Sequence, residues 1–224
     1  MTLTTSRVSP APATRAPAAG FPYGSHSSAS AYHAAYAAEL SAALASVDPG
    51  ELDRAAQVLL DTYLRGAAAF SCGNGGSASI SDHLQCDHMK GARNGTDLLP
   101  RVVSLSSNVA VITAVTNDLG YDEVYRFQLE SQARPGDVLV AISSSGRSTN
   151  IVRAIEWAAG HQVATIAMTG FEGGGARRAA DVALHVDSYN YGVVEDAHQA
   201  LMHCLAQYVR QSRMAEATIA ETTF

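Results

Sequence analysis

The sequence predicts an α/β fold: a five-stranded parallel sheet sandwiched between helices and preceded by an N-terminal helical pair. Five short runs rich in Val, Ile and Ala alternate along the chain with stretches of helical spacing, which is the order typical of strand–helix–strand units. The runs lack polar alternation, and this indicates strands that are buried on both faces. The sheet should therefore lie between two layers of helices.

The N-terminal helical pair is predicted from an Ala-rich stretch and a capping signal. Residues 30–45 place apolar side chains at helical spacing. Asp48 is a good N-cap and Pro49 suits the first helical position, so a second helix should begin there and run to about Leu64. In an α/β protein such a pair would cover the edge of the sheet or an interface between subunits.

The alternation that follows predicts the bounds of the core elements. Strands are expected over residues 67–72, 101–105, 138–142, 163–167 and 182–186. Helices are expected over about 77–90, 108–117, 122–133, 148–159, 174–180 and 193–213. One domain should therefore cover 29–213, between a disordered tail at 1–28, rich in Ala, Pro, Ser and Gly, and a flexible C-terminal tail at 214–224.

The charge balance limits the classes of partner. The 224 residues carry 15 basic and 21 acidic side chains, a formal net charge of −6. This argues against a broad nucleic-acid surface, so no nucleic-acid partner is expected, and any phosphate should be held locally by backbone amides and hydroxyls. No run reaches the roughly 18 apolar residues that a membrane span requires, so no membrane partner is expected either.

The cysteines indicate a reducing compartment. Cys72, Cys86 and Cys204 are odd in number and follow no CxxC spacing. The N-terminal residues contain no apolar signal-peptide core. We therefore interpret the cysteines as reduced thiols and expect a cytoplasmic protein.

The turn after the first predicted strand has the composition of an anion-binding loop. It reads GNGGSAS over residues 73–79 and opens a helix. Its three glycines permit positive φ angles, the hydroxyls of Ser77 and Ser79 can donate to an anion, and the free amides of the helix N-terminus favour negative charge. The loop matches neither GxGxxG nor GxxxxGK[ST], which disfavours a nucleotide site. A purely structural turn is the alternative.

The turn after the third predicted strand is a second candidate of the same kind. It reads SSSGRS over residues 143–148, again at a helix start. A simple helix cap would need one serine, whereas four serines around one glycine make a dense nest of hydroxyls and amides. Arg147 could add charge to a bound phosphate or lie on the surface. Both loops follow the carboxyl ends of strands, where open α/β sheets bind ligands.

Two helices carry polar residues that could do chemistry. His83 and Asp87 are four residues apart and share one helical face. This pair suits a divalent metal, a hydrogen-bonded acid–base pair, or an exposed helical pair with no chemistry. Glu195 and His203, on the last long helix, are about 80° and two turns apart, so one helix alone would hold a metal poorly. His198 is a competing candidate on that helix.

Five motifs, in order, resemble the phosphoheptose isomerases of the sugar isomerase (SIS) family. They are GNGGSASISDH (73–83), TAVTNDLGYDEVYRFQL (113–129), GDVLVAISSSGRSTNIVRAI (136–155), TIAMTGFEGGG (165–175) and YGVVEDAHQALMHCLAQY (191–208). The resemblance spans about residues 30–212. It implies the SIS fold, a homotetramer with active sites at subunit interfaces, and bound zinc.

The resemblance also implies roles for individual residues. The substrate phosphate would be bound by Ser77, Ser143, Ser144, Ser145 and Ser148, with loop shape and amides from Asn74, Gly75 and Gly76. The Zn²⁺ ligands would be His83, Asp87, Glu195 and His203. As catalytic groups, Asp87 would act as base and His203 as acid, and Glu195 could take one of these roles.

The chain departs from the family's usual pattern at several positions around this set. Asp87 stands where a glutamate is usual, and Glu195 where a glutamine is usual. Gly91, with Lys90 beside it, replaces an arginine, and Asn108 replaces an aspartate. Arg147 replaces an asparagine. The changes at 87 and 195 raise the formal negative charge of the site by one, which should favour a divalent cation.

The implied activity is isomerisation of sedoheptulose 7-phosphate to an aldose, a heptose 7-phosphate, through a metal-assisted enediol. Two alternatives are an isomerase of another sugar phosphate and a non-catalytic SIS protein that binds or senses sugar phosphates.

Overall fold

The computed structural model describes residues 20–223, and its elements follow the predicted order. The strands are β1 (Ala68–Gly73), β2 (Arg101–Ser104), β3 (Val138–Ser143), β4 (Ala164–Thr169) and β5 (Val182–His185). The α-helices are α1 (Ala29–Ala45), α2 (Pro49–Leu64), α3 (Gly76–Cys86), α4 (Val109–Leu119), α5 (Val124–Gln132), α6 (Thr149–Gly160), α7 (Gly174–Ala179), α8 (Tyr191–Gln211) and α9 (Glu216–Ala220). A π-helical turn covers Asp87–Gly91 and a 3₁₀ turn covers Tyr121–Glu123.

The five strands form one parallel sheet in the order β2-β1-β3-β4-β5. Side chains of β3 alternate between two apolar clusters, with Val138, Val140 and Ile142 in one and Leu139 and Ala141 in the other. The first cluster includes residues of α1, α2, α3 and α8, and the second includes residues of α4 to α7. The prediction of a parallel sheet sandwiched between helices is confirmed.

The strand order explains why the two predicted loops meet. From β1 the chain moves outward to β2, then returns to place β3 on the other side of β1. The loops that leave β1 and β3 therefore start at neighbouring carboxyl ends, at the point where the strand order reverses. Such a switch point forms a crevice that binds ligands in open α/β sheets.

The N-terminal helical pair is confirmed with its cap. Asp48 lies at the N-cap of α2, and its carboxylate accepts the Glu51 N–H at 3.0 Å. Helix α1 packs along α8, and the Tyr36 hydroxyl donates to the Asp196 carboxylate at 2.7 Å. The pair thus covers the sheet face to which α8 belongs.

The two tails differ from the expectation where the structure describes them. Residues 1–19 of the predicted disordered tail lie outside the described residues. Phe21, within the remainder, is only 5% exposed and contacts the rings of Tyr32 and Tyr36, because these tyrosines offer it an apolar surface on α1. In the C-terminal tail, residues 216–220 form the short helix α9, and the carbonyl of Thr223 accepts from Arg210 at 3.2 Å.

The helix after the first loop does not stay α-helical to residue 90 as predicted. Its α geometry ends at Cys86, and the Ala92 N–H donates to the Asp87 carbonyl, five residues back, at 2.9 Å. Short π turns of this kind occur often at functional sites. Within residues 20–223, no helix is both long and apolar enough to cross a membrane.

Candidate active site

The two predicted loops line one pocket, hereafter the loop pocket, of about 180 Å³. Six of the eight predicted substrate-binding residues line it: Asn74, Ser77, Ser143, Ser144, Ser145 and Ser148. Ile142, Tyr191 and Glu195 complete the lining. The crevice at the switch point is therefore dominated by serine hydroxyls.

The first loop contributes Asn74 and Ser77 to this pocket, whereas Gly75 and Gly76 are not among its lining residues. Gly75 has φ +55°, a left-handed value that glycine adopts without a steric penalty, and it occupies the N-cap of α3 without a side-chain cap. The next residue, Gly76, is in close contact with Glu195, since a β-carbon at Gly76 would stand 2.4 Å from Glu195 Oε2. Gly75 and Gly76 thus set the backbone shape of the loop. The N–H groups of Ser77 and Ala78 donate to the Asn74 and Gly75 carbonyls at 3.0 Å, so an anion at this loop would accept from the amides that precede them.

The second loop is held by the turn after β4. Gly146 has φ +63°, and a β-carbon there would stand 1.9 Å from the Gly173 carbonyl oxygen. The Gly146 carbonyl accepts the Ala176 N–H at 3.0 Å. Ser148 occupies the N-cap of α6, yet its hydroxyl accepts no cap hydrogen bond within the described chain. The hydroxyl is therefore not consumed by capping, which weighs against a purely structural role for the loop.

Arg147, whose role the sequence left open, points to the surface. Its guanidinium forms an ion pair with Glu172, and both side chains are about half exposed. Arg147 is also absent from the residues that line the loop pocket. Arg147 therefore adds no charge to the lining of the loop pocket.

A second group, the histidine–aspartate cluster, consists of His83, Asp87 and His203. Asp87 Oδ1 lies 3.3 Å from His83 Nε2, and Asp87 Oδ2 lies 2.8 Å from His203 Nδ1. One ligand atom from each residue lies within 4.8 Å of the others. Three of the four predicted metal ligands, from α3, the π turn and α8, are thus brought together.

Gln199 completes this cluster and was missed by the sequence reasoning. Its Nε2 lies 3.1 Å from His83 Nδ1 and 2.9 Å from His203 Nε2. An amide NH₂ has two hydrogens, so it can donate to both rings while each ring donates its other N–H to Asp87. Gln199 sits four residues after Glu195 and four before His203, and this helical spacing was the signal that could have found it.

Glu195, the fourth predicted ligand, lies apart from the cluster. Among residues 20–223, the group of potential metal ligands comprises His83, Asp87 and His203 without it. Glu195 instead lines the loop pocket against Gly76. Burial, and secondarily the charge of Asp196, raises the pKa of the Glu195 carboxyl.

His198 is a core residue. It is fully buried, and burial lowers the pKa of its imidazole to about 4, so the ring is neutral near pH 7. It belongs to the opposite side of α8 from the half-exposed His203. Neither Glu195 nor His198 therefore joins His203 in the cluster. The residue of α8 that contacts the His203 ring is Gln199.

Two of the other departures from the family pattern also have structural explanations. The Asn108 side chain caps α4 by accepting the Val111 N–H at 3.2 Å. Lys90 and Gly91 border a wide groove next to Asp87. The exposed ammonium group of Lys90 therefore supplies positive charge near the position from which the arginine is missing.

The donor set of the cluster fits a zinc ion. Two imidazoles and one carboxylate are among the preferred ligands of Zn²⁺, and catalytic zinc sites commonly use three protein ligands. The pairwise spacing of the three ligand atoms, within 4.8 Å, requires only small side-chain movements to surround one ion. The two rings already lie nearly perpendicular, with centroids 4.9 Å apart.

Comparisons with known proteins identify the family of the chain. The SIS domain family model matches residues 25–170. Phosphoheptose isomerases of Shewanella denitrificans and Shewanella frigidimarina are 34% and 35% identical to the chain over 164 residues, which is 72% of this chain and 83% of each relative.

Solved structures give the same result. The phosphoheptose isomerase of Neisseria gonorrhoeae superposes with a TM-score of 0.75 at 28% identity, over 81% of this chain and 97% of that chain. The sugar isomerase domain of an RpiR transcription factor from Sphaerobacter thermophilus has a TM-score of 0.57 at 18% identity and shares the fold alone. The chain therefore belongs to the SIS-domain family and, within it, to the phosphoheptose isomerases.

Proposed function

We propose that this chain is a sugar-phosphate isomerase that converts sedoheptulose 7-phosphate to a heptose 7-phosphate. The observation that carries the proposal is the joining of the loop pocket to the histidine–aspartate cluster by two shared helices. Helix α3 carries the pocket residue Ser77 in its first turn and leads to His83 and, in the π turn that follows, to Asp87. Helix α8 begins near Glu195 in the pocket and leads to His203.

The two helices set the distance between the loop pocket, where the phosphate would bind, and the histidine–aspartate cluster, where the reaction would occur. Six residues separate Ser77 from His83 and eight separate Glu195 from His203, which is about 9 and about 12 Å of helical rise. A phosphate held in the pocket would therefore place carbons several bonds away at the cluster. This arrangement favours a sugar with its phosphate at one end and its carbonyl near the other.

The loops supply binding energy remote from the reacting carbons. Hydroxyls of Ser77, Ser143, Ser144, Ser145 and Ser148 and the amides at the start of α3 and α6 would hold the phosphate. Fixing this end orients the chain of the sugar before any proton moves, which lowers the entropic part of the barrier.

Proton transfer falls to the cluster. In a ketose–aldose isomerisation, one proton leaves C1, an enediol forms, and a proton is returned to C2. Asp87 would act as the base, and His203, hydrogen-bonded to Asp87 at 2.8 Å, would exchange the hydroxyl proton as acid. Glu195, which lines the loop pocket, could exchange a proton with a substrate oxygen nearer that pocket.

A metal would be held by His83, Asp87 and His203, and zinc is the ion that the family resemblance implies. When bound, the ion would polarise the substrate carbonyl as a Lewis acid. Glu195 is a fourth ligand only if its side chain leaves Gly76. Asp87 is one methylene shorter than glutamate, so its carboxylate stays close to the two rings.

We also propose a homotetramer with active sites at subunit interfaces, in the cytoplasm. Exposed apolar side chains on and after α4 support self-association, since Val109 is 70%, Leu119 53% and Phe127 40% exposed. The half-exposed side of the cluster leaves room for groups from a second subunit. Light scattering of the purified protein would measure the subunit number.

The activity is tested by incubating the purified, zinc-analysed protein with sedoheptulose 7-phosphate and, in parallel, with unphosphorylated sedoheptulose. We expect turnover of the phosphorylated ketose alone, and its loss on chelation followed by recovery with zinc. Binding without turnover would favour the sensor function. Turnover of a different sugar phosphate at a higher kcat/KM would correct the substrate.

A further inference from the structure

The first loop is joined to the helix after the second loop by a pair of asparagines. Asn74 Nδ2 donates to Asn150 Oδ1 at 3.0 Å, and Asn150 Nδ2 donates to Asn74 Oδ1 at 3.0 Å. The two residues are 76 positions apart in the chain. A reciprocal amide pair of this kind fixes both the distance and the relative orientation of the segments that carry it.

The position of the pair links the two halves of the loop pocket. Asn74 is the second residue of the first loop and lines the pocket. Asn150 is the second residue of α6, two positions after the pocket residue Ser148, and is only 2% exposed. Its Oδ1 also accepts its neighbour's N–H, that of Ile151, at 3.0 Å, which holds the amide in one orientation.

Two tyrosines strengthen the link from a third segment. Tyr121 donates to Asn74 Oδ1 at 2.8 Å. The Tyr125 hydroxyl, which has one hydrogen, donates to the Gly73 carbonyl and lies 3.1 Å from the same Asn74 oxygen. The turn that carries Tyr121 is attached to α6 through the ion pair of Glu123 with Arg153. Asn74 Oδ1 thus accepts from Asn150 and Tyr121, and Tyr125 holds the adjacent Gly73 carbonyl, so Asn74 acts as a joint between segments.

We propose that Asn150 is a positioning residue that joins the two loops into one preorganised anion site by way of Asn74. The proposal rests on the proposed function in one respect, that the loop pocket binds the substrate phosphate. An anion bound between two loops loses affinity if the loops move independently, because binding must then restrict their motion. Loss of the joint should therefore weaken phosphate binding while the chemistry at the cluster is left intact.

Three variants test this joint. Asn150→Asp keeps the shape but places an oxygen against Asn74 Oδ1, and Asn150→Ala removes both hydrogen bonds. Tyr121→Phe, at a half-exposed position, removes one donor to Asn74 and keeps the protein foldable if the buried variants are unstable. Asp48→Ala is the matched control, because it removes a helix cap on α2, remote from both loops, at a comparable cost in stability.

The first readout is amide hydrogen exchange of the first loop, which does not depend on the activity. Substitution at residue 150 should speed exchange at residues 74–78 about tenfold, the effect of losing two neutral hydrogen bonds, and Tyr121→Phe should give a smaller change in the same direction. Asp48→Ala should leave these amides unchanged. Unchanged exchange in all three loop variants would overturn the proposal.

The second readout is the affinity for inorganic phosphate and the split between KM and kcat. The Asn150 variants should bind phosphate about tenfold more weakly and raise KM by a similar factor, with kcat within about threefold of the wild type. A lower melting temperature with unchanged phosphate affinity would overturn the proposal and leave Asn150 a core residue. Faster loop exchange in the Asn150 variants, together with no phosphate binding by the wild-type protein, would support the joint and reject the proposed function.

Discussion

The loop pocket and the histidine–aspartate cluster are built in contrasting ways. The pocket residues Ser77, Ser143 and Ser144 are 4–6% exposed, and the chain's own backbone turns fix them. The side chains of His83, Asp87 and His203 are 26–46% exposed and are held by one another on helix surfaces. The pocket is therefore shaped before a ligand arrives, whereas the cluster has an open side where substrate, metal or a second subunit can complete it.

Asp87→Asn should have the largest effect of the variants proposed here. It should abolish proton transfer at the histidine–aspartate cluster and leave the loop pocket unchanged. The amide cannot accept a proton and no longer accepts hydrogen bonds equally from both rings. We expect kcat for sedoheptulose 7-phosphate to fall by about 100-fold or more, within the usual range for a catalytic base, with phosphate affinity unchanged. Asp61→Asn, at a carboxylate on α2, is the control. Wild-type turnover in Asp87→Asn would remove Asp87 from the mechanism.

Gly146→Ala should have the opposite effect, because it distorts the loop pocket and leaves the histidine–aspartate cluster unchanged. The β-carbon would meet the Gly173 carbonyl at 1.9 Å at a residue with φ +63°, so the second loop must shift at a cost of about 2 kcal/mol or more. Inorganic phosphate should bind at least about tenfold more weakly.

The control for Gly146→Ala is Gly136→Ala. Gly136 has φ +93°, but apart from its chain neighbours no atom of residues 20–223 lies within 4 Å of the point where a β-carbon would stand, so it shares the backbone strain without the clash. Equal losses of phosphate affinity in the two variants, measured by calorimetry, would show that the contact with Gly173 is unimportant.

His198, on the buried face of α8, should make the stability of the fold depend on pH. Burial lowers the pKa of His198 to about 4 from 6.5, so the unfolded chain takes up a proton near pH 6 that the folded chain does not. The free energy of unfolding should therefore fall as the pH falls, by about 2 kcal/mol from this residue between about pH 7 and pH 5. Urea unfolding at the two pH values should show less pH dependence in His198→Gln. His33→Gln, at an exposed histidine, should retain it.

Glu195→Gln should have the smallest effect, which is a change in the affinity of the loop pocket for phosphate. Its carboxylate lines a pocket for an anion, so removing the charge should strengthen inorganic phosphate binding several-fold, in the direction set by repulsion between like charges. Glu156→Gln, exposed on α6, should change nothing. Weaker phosphate binding in Glu195→Gln would place the carboxylate elsewhere in solution, for example on a metal.

Much of the fold and of the pocket follows from local sequence signals. Asp48 with Pro49 marks the start of α2 because capping depends on neighbouring residues. The runs of glycine and serine mark the two loops for the same reason. The strands could be predicted without knowing which strands pair, because a strand that is buried on both faces has a continuous apolar run in its own sequence.

The rest depends on how distant segments meet. Gln199 joins the cluster only because α3 packs beside α8, and Asn150 joins the first loop only because β1 lies next to β3. The family resemblance implies Glu195 as a metal ligand, but its side chain turns toward Gly76, where the absence of a side chain leaves space. Spacing along α8 can show which residues share a helical face, but not which distant residues that face meets.

The central claim is that the loop pocket holds a sugar phosphate while Asp87 moves the proton. The most direct test is NMR of sedoheptulose 7-phosphate incubated in D₂O with the zinc-loaded wild-type protein and with Asp87→Asn. We predict a heptose 7-phosphate carrying deuterium at C2 from the wild type, and bound but unexchanged substrate with the variant. Rapid turnover or deuterium incorporation by Asp87→Asn, or no heptose 7-phosphate from the wild type, would contradict the account.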